Sequence, residues 1–364
     1  MAHIQSVSRD GLVVCASGGK EYKARDAIDA ALFRGELEPN WKEFLSSIKA
    51  EKRAEELELE LEHRAIESAA ELFRYEQDLI TAAETEQWLS ERALTLEDFS
   101  DYFTRQYWRS ALDERIVPDT VDFVSAPAEL RQLFIAALMF SGELDRLSEQ
   151  LMWRLAALAA NGQDDVDPER IGVERQQFIN RNRIKPSELG DWLGRIGRDE
   201  EWLEETLAME AAYRRVCETV LNPQARKKQL AMLRLPLTQF EAEVIEVESR
   251  DAAREALYCI REDGMSMEEV AAEARYPYRR VAFLHQDIPS ELQQKFWSVG
   301  AGDVLEPFPR DDGFELYRIT KKTEPELDDA AVQRRIDERL RERHFSALAS
   351  KYVEARLQAA VPIK

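Results

Sequence analysis

Few residues in this chain have the types and spacing that chemistry requires. Gly18-Gly19-Lys20 has the ending of a phosphate loop, in which backbone N–H groups cradle phosphate and the lysine reaches its outer oxygens. Here the earlier glycine of that motif falls on Val14 and the hydroxyl residue after the lysine is Glu21. A plain hairpin turn fits these residues instead. Cys15, Cys217 and Cys259 are odd in number and widely spaced, which gives neither a disulfide framework nor a metal knuckle. The sequence contains no HExxH, CxxC, Rossmann fingerprint or GxSxG. No catalytic residue, metal site or cofactor is therefore expected. His285 has no partner carboxylate or nucleophile at a fixed spacing, and reads as a packing or surface residue.

Composition narrows the partners. The 71 acidic residues against 50 basic ones leave a net charge of −21, which repels phosphate backbones and anionic lipid. Nucleic acid and membrane surfaces are excluded as expected partners. The chain opens without the basic-then-apolar pattern of an export signal. Its longest apolar run, LFIAALMF at 133–140, is far short of the roughly 20 residues that span a bilayer. A reducing cytoplasm is the expected location.

The elements that must position any site follow from the apolar period. Residues 1–24 read as short strands: HIQSV, the Asp10-Gly11 turn, LVVCA, the Gly18-Gly19 turn and EYKA. From 25 to 235 the pattern is helical, with Trp41, Phe44, Leu45 and Ile48, then Ile66, Ala69, Leu72 and Phe73, at helical steps. Within it, residues 84–99 parallel 187–202, matching Trp88 to Trp192 and Phe99 to Trp202. That spacing predicts two related helix pairs, each with an aromatic packed in the core.

Near Leu235-Pro236 the period changes. TQFEAEVIEVES alternates as a strand, and RDAAREALYCIRE follows as a helix that Gly264 ends. Ser266 with Glu269, and Ser290 with Gln293, have the spacing of capping boxes that open the next two helices. A short strand lies near VAFL. Val304, Leu305 and Phe308, the Asp312-Gly313 turn, and Phe314, Leu316 and Ile319 make a closing hairpin. Beyond Pro325, Val332, Ile336, Leu340, Leu348, Tyr352 and Leu357 form the apolar stripe of a helix over about 328–359. The stripe is expected to pack back on the helical first half.

Residues 236–322 resemble the parvulin (PpiC-type) peptidyl-prolyl isomerase domain. The matching pieces are EVIEVESRDAAREALYCIREDGMSMEEVAAEA, IPSELQQKFWSVGAGDVLEPF and GFELYRI. The helical segment before and the long helix after look like the layout of SurA-type and PrsA-type chaperones, and the likeness covers the chain from about Glu71 onward. It implies an α+β fold, mostly α. With the residue pattern, the expected domains are a small β meander at 1–24, outside the likeness, a helical SurA-like domain at 25–235, a parvulin-like domain at 236–322, and a C-terminal helix at 323–364 that packs back on the helical domain.

The departures from the family pattern concern its chemistry. The resemblance places a pair of facing histidines at Ala242 or Glu243 and at Glu315, and neither position is histidine. The segment that supplies a polar residue is shortened to ARYPYRRVAFL. By this likeness the family's apolar pocket corresponds most nearly to Phe283, Leu284, Phe296 and Phe308, which equally suit the domain's own core. The implied function is a catalytically silent, peptide-binding chaperone. It is similar to PpiC-related accessory proteins of ribosomal-peptide maturation, with a precursor or leader peptide as ligand and peptide-modifying enzymes as further partners. An isomerase working through unfamiliar residues and a structural adaptor for a folded protein are the alternatives.

Overall fold

The structure, a computed structural model, describes residues 8–112, 121–162, 166–310 and 313–356. The chain is α+β and mostly α. It divides into two compact units, Met1–Cys217 with His344–Lys364, and Glu218–Arg343. The second unit therefore takes in residues 218–235 and 323–343 as well as the segment that resembles a parvulin domain.

The elements run in chain order as follows. Strands β1 (Val13–Ser17) and β2 (Lys20–Lys23) lead into α1 (Ala24–Arg34), α2 (Glu38–Glu56) and α3 (His63–Glu76). Next come α4 (Ala82–Glu91), α5 (Leu96–Ala111), α6 (Ala128–Phe140) and α7 (Glu143–Asn161). They are followed by α8 (Pro168–Asn182), α9 (Leu189–Arg195), α10 (Glu200–Val220) and α11 (Pro223–Leu233). Strand β3 (Gln239–Val247), α12 (Arg250–Arg261), α13 (Met267–Ala274) and β4 (Tyr278–Leu284) continue the chain. Helix α14 (Ser290–Ser298), β5 (Phe308–Arg310), β6 (Gly313–Thr323), α15 (Ala330–Tyr352) and β7 (Val353–Ala355) complete it.

In the first unit Gly18 and Gly19 both have positive φ, 58° and 80°. A two-residue turn of that kind matches the twist of the strands it joins, so the glycines close a hairpin. The HIQSV segment lies outside the described residues, and Asp10-Gly11 sits in a single 3₁₀ turn. Each of the two paralleled segments is a short helix, a turn and a longer one: α4 with α5, and α9 with α10. Trp88 stacks on Phe140 with centroids 5.8 Å apart, and Trp192 meets Phe178 edge-on at 5.2 Å. Leu72, by contrast, is 59% exposed, because α3 turns Phe73 rather than Leu72 to the core.

The C-terminal stripe divides. Phe345 is fully buried, stacked on Trp153 and Tyr213 at 5.7 and 4.6 Å, with Leu348 and Ala349 beside it. Ile336 and Leu340 meet the expected helical segment 25–235 through its end, from Val220 to Leu233, which belongs to the second unit. They are buried in the second unit against Leu237, Leu230 and Leu233. The expected helix to residue 359 also stops early. Val353 pairs with Ser17 and Arg356 N–H donates to the Val14 carbonyl at 3.0 Å, making β7 the third strand of the sheet β2-β1-β7. The open edge of β1 offers backbone partners that a further helical turn would not use. Leu357 lies outside the described residues.

The second unit is built on an antiparallel sheet of order β4-β3-β6-β5. One face, with Ile245, Val247 and Leu316, is covered by α12 and α13 through Ala253, Leu257, Met267 and Val270. The other, with Phe240, Ala242 and Ile319, is covered by Phe296 of α14. Ser266 does cap α13, accepting from Glu269 N–H. Ser290 does not cap α14. Pro289 holds the N-cap place and Ser290 is already the first helical residue, while Gln293 Nε2 donates to the Ile288 carbonyl at 2.9 Å. Asp312 of the predicted hairpin turn lies outside the described residues.

Because Phe345 fills a site closed by two aromatic rings, Phe345→Ala is expected to destabilise the protein by about 3–5 kcal/mol. Urea unfolding followed by tryptophan fluorescence measures it, and a loss under about 1 kcal/mol would refute the packing role given to this residue.

Candidate functional site

Strand register places the parvulin-like positions. Ala242 pairs with Ile319 and Val281, on the face covered by α14, and is buried. Glu243 points to the opposite face. It is also buried, accepting from Tyr278 Oη at 2.9 Å and from Arg318 Nε at 2.7 Å. Glu315 lies on the Ala242 face but four residues along β6 from Ile319, about 13 Å at the rise of a strand. Its cross-strand partner on β3 is Glu246. The two positions therefore do not face each other, and two carboxylates meet where Glu315 sits.

Like charges opposite one another across a strand pair destabilise it unless compensated. Two arginines compensate. Arg279 of β4 donates to Glu246 at 3.1 Å and to Glu315 at 2.7 Å. Arg310 of β5 donates to Glu246 at 3.3 Å and to Glu315 at 2.5 Å. Tyr317 Oη donates to the second oxygen of Glu315 at 2.7 Å. Burial works to lower the Arg279 guanidinium, but Glu315 and Glu246 beside it outweigh that and hold it above its ordinary value. Burial first, then the bond to Glu315, pushes the Tyr317 phenol up. The result is a set of two carboxylates and two guanidiniums, each engaged, with the Tyr317 hydroxyl on the outer oxygen of Glu315. The sequence signal for it was available in the alternation of β4, which puts Arg279 on the same face as Val281 and Phe283.

The four candidate pocket residues do not converge. Phe296 and Phe308, 2% and 4% exposed, stack on each other at 5.7 Å inside the sheet's own core, with Tyr317 against both. Phe283 is half-buried and meets Phe296 edge-on at 5.5 Å. Leu284, next along β4, faces away from them toward Leu237, Val332, Ile336 and Leu340. Phe283 and Leu284 line a cleft of about 540 Å³, a size suited to a ligand side chain or small molecule. Its other wall is Thr323 to Glu326 with Asp329, Val332 and Arg335. Sequence reading missed this cleft, since its two walls are some forty residues apart and their approach depends on where α15 packs. His285 is 5% exposed, its Nε2 3.2 Å from the Gln293 carbonyl, between Phe240 and Trp297. It braces α14 and faces no open space. Among the described residues no group of three or more His, Cys, Asp or Glu is placed to hold a metal ion, and no helix is long and apolar enough to cross a membrane.

No family model and no curated protein matches the chain. Solved structures similar to it include the peptidylprolyl isomerase PrsA from Bacillus anthracis, at 16% identity over 57% of this chain and 93% of that one, with a TM-score of 0.26. PrsA from Bacillus cereus is 13% identical over 59% of this chain and 85% of its own, with a TM-score of 0.33. A chain from the work on PEB4 and Cj1289, SurA-like chaperones of Campylobacter jejuni, is 13% identical over 60% and 89%, with a TM-score of 0.22. Superpositions at this level leave function to be argued from the site itself.

Removing Glu315 leaves Tyr317 Oη without its acceptor and two arginines with one carboxylate. Glu315→Ala is expected to cost about 1–2 kcal/mol, the lower part of the range for a lost charged partner because both arginines are substantially solvated. Glu315→Gln, which keeps an acceptor for Tyr317, should cost less in the same denaturation experiment. Equal costs would show that the tyrosine bond contributes nothing.

Proposed function

We propose that this chain is a peptide-binding, chaperone-like protein that holds an extended segment without isomerising its prolyl bonds. The observation that carries the reading is the outer edge of β4. It is a seven-residue strand at the end of the sheet, with no described residue paired to its free side, and it runs into an open cleft. An exposed strand edge binds extended chain through main-chain hydrogen bonds and selects it through neighbouring side-chain pockets.

The lack of isomerase chemistry follows from the carboxylate–arginine set. Rotation about the prolyl amide has a barrier of about 18–20 kcal/mol, and lowering it requires groups that bind the twisted amide better than the planar one. Glu315 and Glu246 are already engaged by Arg279 and Arg310, and neither position where the resemblance puts a histidine carries an imidazole, which supports a carrier without isomerase chemistry. The same resemblance supports a precursor or leader peptide as the ligand and peptide-modifying enzymes as recipients, in a cytoplasmic maturation system. Binding of both prolyl isomers alike suits such a carrier.

In a proline tetrapeptide assay, catalytic amounts of the protein are expected to leave the cis/trans exchange rate at its uncatalysed value. The same preparation should bind a permanently unfolded, carboxymethylated test protein, seen by calorimetry. Accelerated exchange that Glu315→Gln abolishes would replace this reading by that of an atypical isomerase; binding only to folded proteins would replace it by that of an adaptor.

A further inference from the structure

The phase of β4 is fixed by two hydrogen bonds at its ends. Glu246 N–H donates to the Pro277 carbonyl at 3.1 Å, and His285 N–H donates to the Thr238 carbonyl at 2.8 Å. In an antiparallel pair the backbone groups of alternate residues turn toward the partner strand. Residues 279, 281 and 283 therefore address β3, and Tyr278, Arg280, Ala282 and Leu284 turn their N–H and C=O groups outward. Leu284 N–H is taken by Asp287 Oδ2 at 3.1 Å, as an outward group would be. The outward groups of Tyr278, Arg280 and Ala282 have no partner strand among the described residues.

The cleft lies at the end of this edge, on the face that Ala282 and Leu284 share. Its floor is apolar, with Leu237, Leu284 and Val332 belonging to the cluster around Ile336 and Leu340. Its rim carries Asp287, Glu324, Glu326 and Asp329 against the single cation Arg335. Not all four are equally available. Asp329 caps α15 through Ala331 N–H at 2.7 Å, and Glu324 is bound by Arg234 at 2.6 Å, whereas Glu326 is exposed and meets no such partner among the described residues. The arginines along the edge are already compensated, Arg279 by Glu246 and Glu315 and Arg280 by Glu243 and Tyr278.

We infer that the occupant of this edge is an extended peptide carrying a lysine or arginine, whose backbone pairs with Arg280 and Ala282 and whose basic side chain enters the cleft. This rests on the reading that the chain binds extended peptides. A peptide residue opposite Ala282 projects its side chain to the face of Ala282 and Leu284. A long basic side chain suits what it meets there: the aliphatic stem lies on Leu284 and Val332 while the charged head stays at the wet acidic rim. A glutamate in the same place meets like charge, which makes the rim a device for rejection as well as attraction. The net charge of −21 steers basic segments toward the surface over longer distances.

The test is fluorescence anisotropy with short labelled peptides of alternating valine and threonine bearing one central lysine, glutamine or glutamate. The lysine peptide is expected to bind about fivefold more tightly than the glutamine one at low salt, with the preference shrinking at high salt. The glutamate peptide should bind more weakly than either. The double variant Glu324→Lys, Glu326→Lys, at two exposed positions of the rim, should reverse the order of the lysine and glutamate peptides. Ala282→Pro, whose lost N–H points outward and not into the sheet, should weaken all three peptides while leaving the melting temperature of the protein unaltered. Equal affinity for the three peptides, or full binding by a folded Ala282→Pro variant, would overturn this assignment and leave the peptide-binding reading standing. Failure of every peptide and of unfolded protein to bind the wild type would overturn both.

Discussion

Everything in the second unit depends on the two-residue period of β3. Its odd-numbered residues Ile245 and Val247 serve the core under α12 and α13, and its even-numbered Phe240, Ala242 and Val244 serve the face under α14. A slip of one residue would exchange the two sets and drive Glu243 and Glu246 into the opposite layers. The strand tolerates these two glutamates because each meets arginine from a neighbouring strand, Arg318 for Glu243 and Arg279 for Glu246. Register, core and charge pairing are thus one constraint seen three ways.

That constraint also accounts for the charge pairing at the sheet's Glu315 end. A carboxylate at 315 is only 13% exposed and sits directly opposite another. Without the guanidiniums the two carboxylates would repel across the strand pair. Arg279 and Arg310 remove the conflict by engaging both. Phe296 and Phe308 follow the same logic: stacked on each other with Tyr317 against both, they fill the domain's own core, one of the two roles the sequence left open. Stability and openness compete for the same side chains, and here packing has them.

Local signals were legible in the sequence. Gly18-Gly19 marked a turn because positive φ is a property of those two residues alone, and Ser266 with Glu269 marked a helix start because the capping bonds span three residues. The alternation of 239–247 announced a strand between two cores, and the Trp88 and Trp192 segments announced two helix pairs. What sequence could not supply was set by distant partners. Val353 has no local reason to leave a helix; the open edge of β1, over three hundred residues away, gives it one. Ser290 lost its capping role to the proline before it. For His285 the sequence left packing and surface roles open, because its cover, Phe240 and Trp297, arrives from two other elements. The cleft was invisible for the same reason, its walls belonging to β4 and to the approach of α15.

The two edges of the sheet are managed differently, and the difference bears on what the molecule can meet. The β5 edge is three residues long and carries Pro309, two devices that discourage pairing. The β4 edge is seven residues long with no proline inside it, a length that in an ordinary protein invites a second copy. Self-pairing is opposed by what surrounds it. An antiparallel pair of identical β4 strands centred on Arg280 would set arginine against arginine, and one centred on Ala282 would bring two acidic rims together. Two copies, each at −21, repel before either register is reached. An edge left open to backbone yet closed to its own kind by charge discriminates among partners, and by the assignment proposed above it favours extended, basic ones.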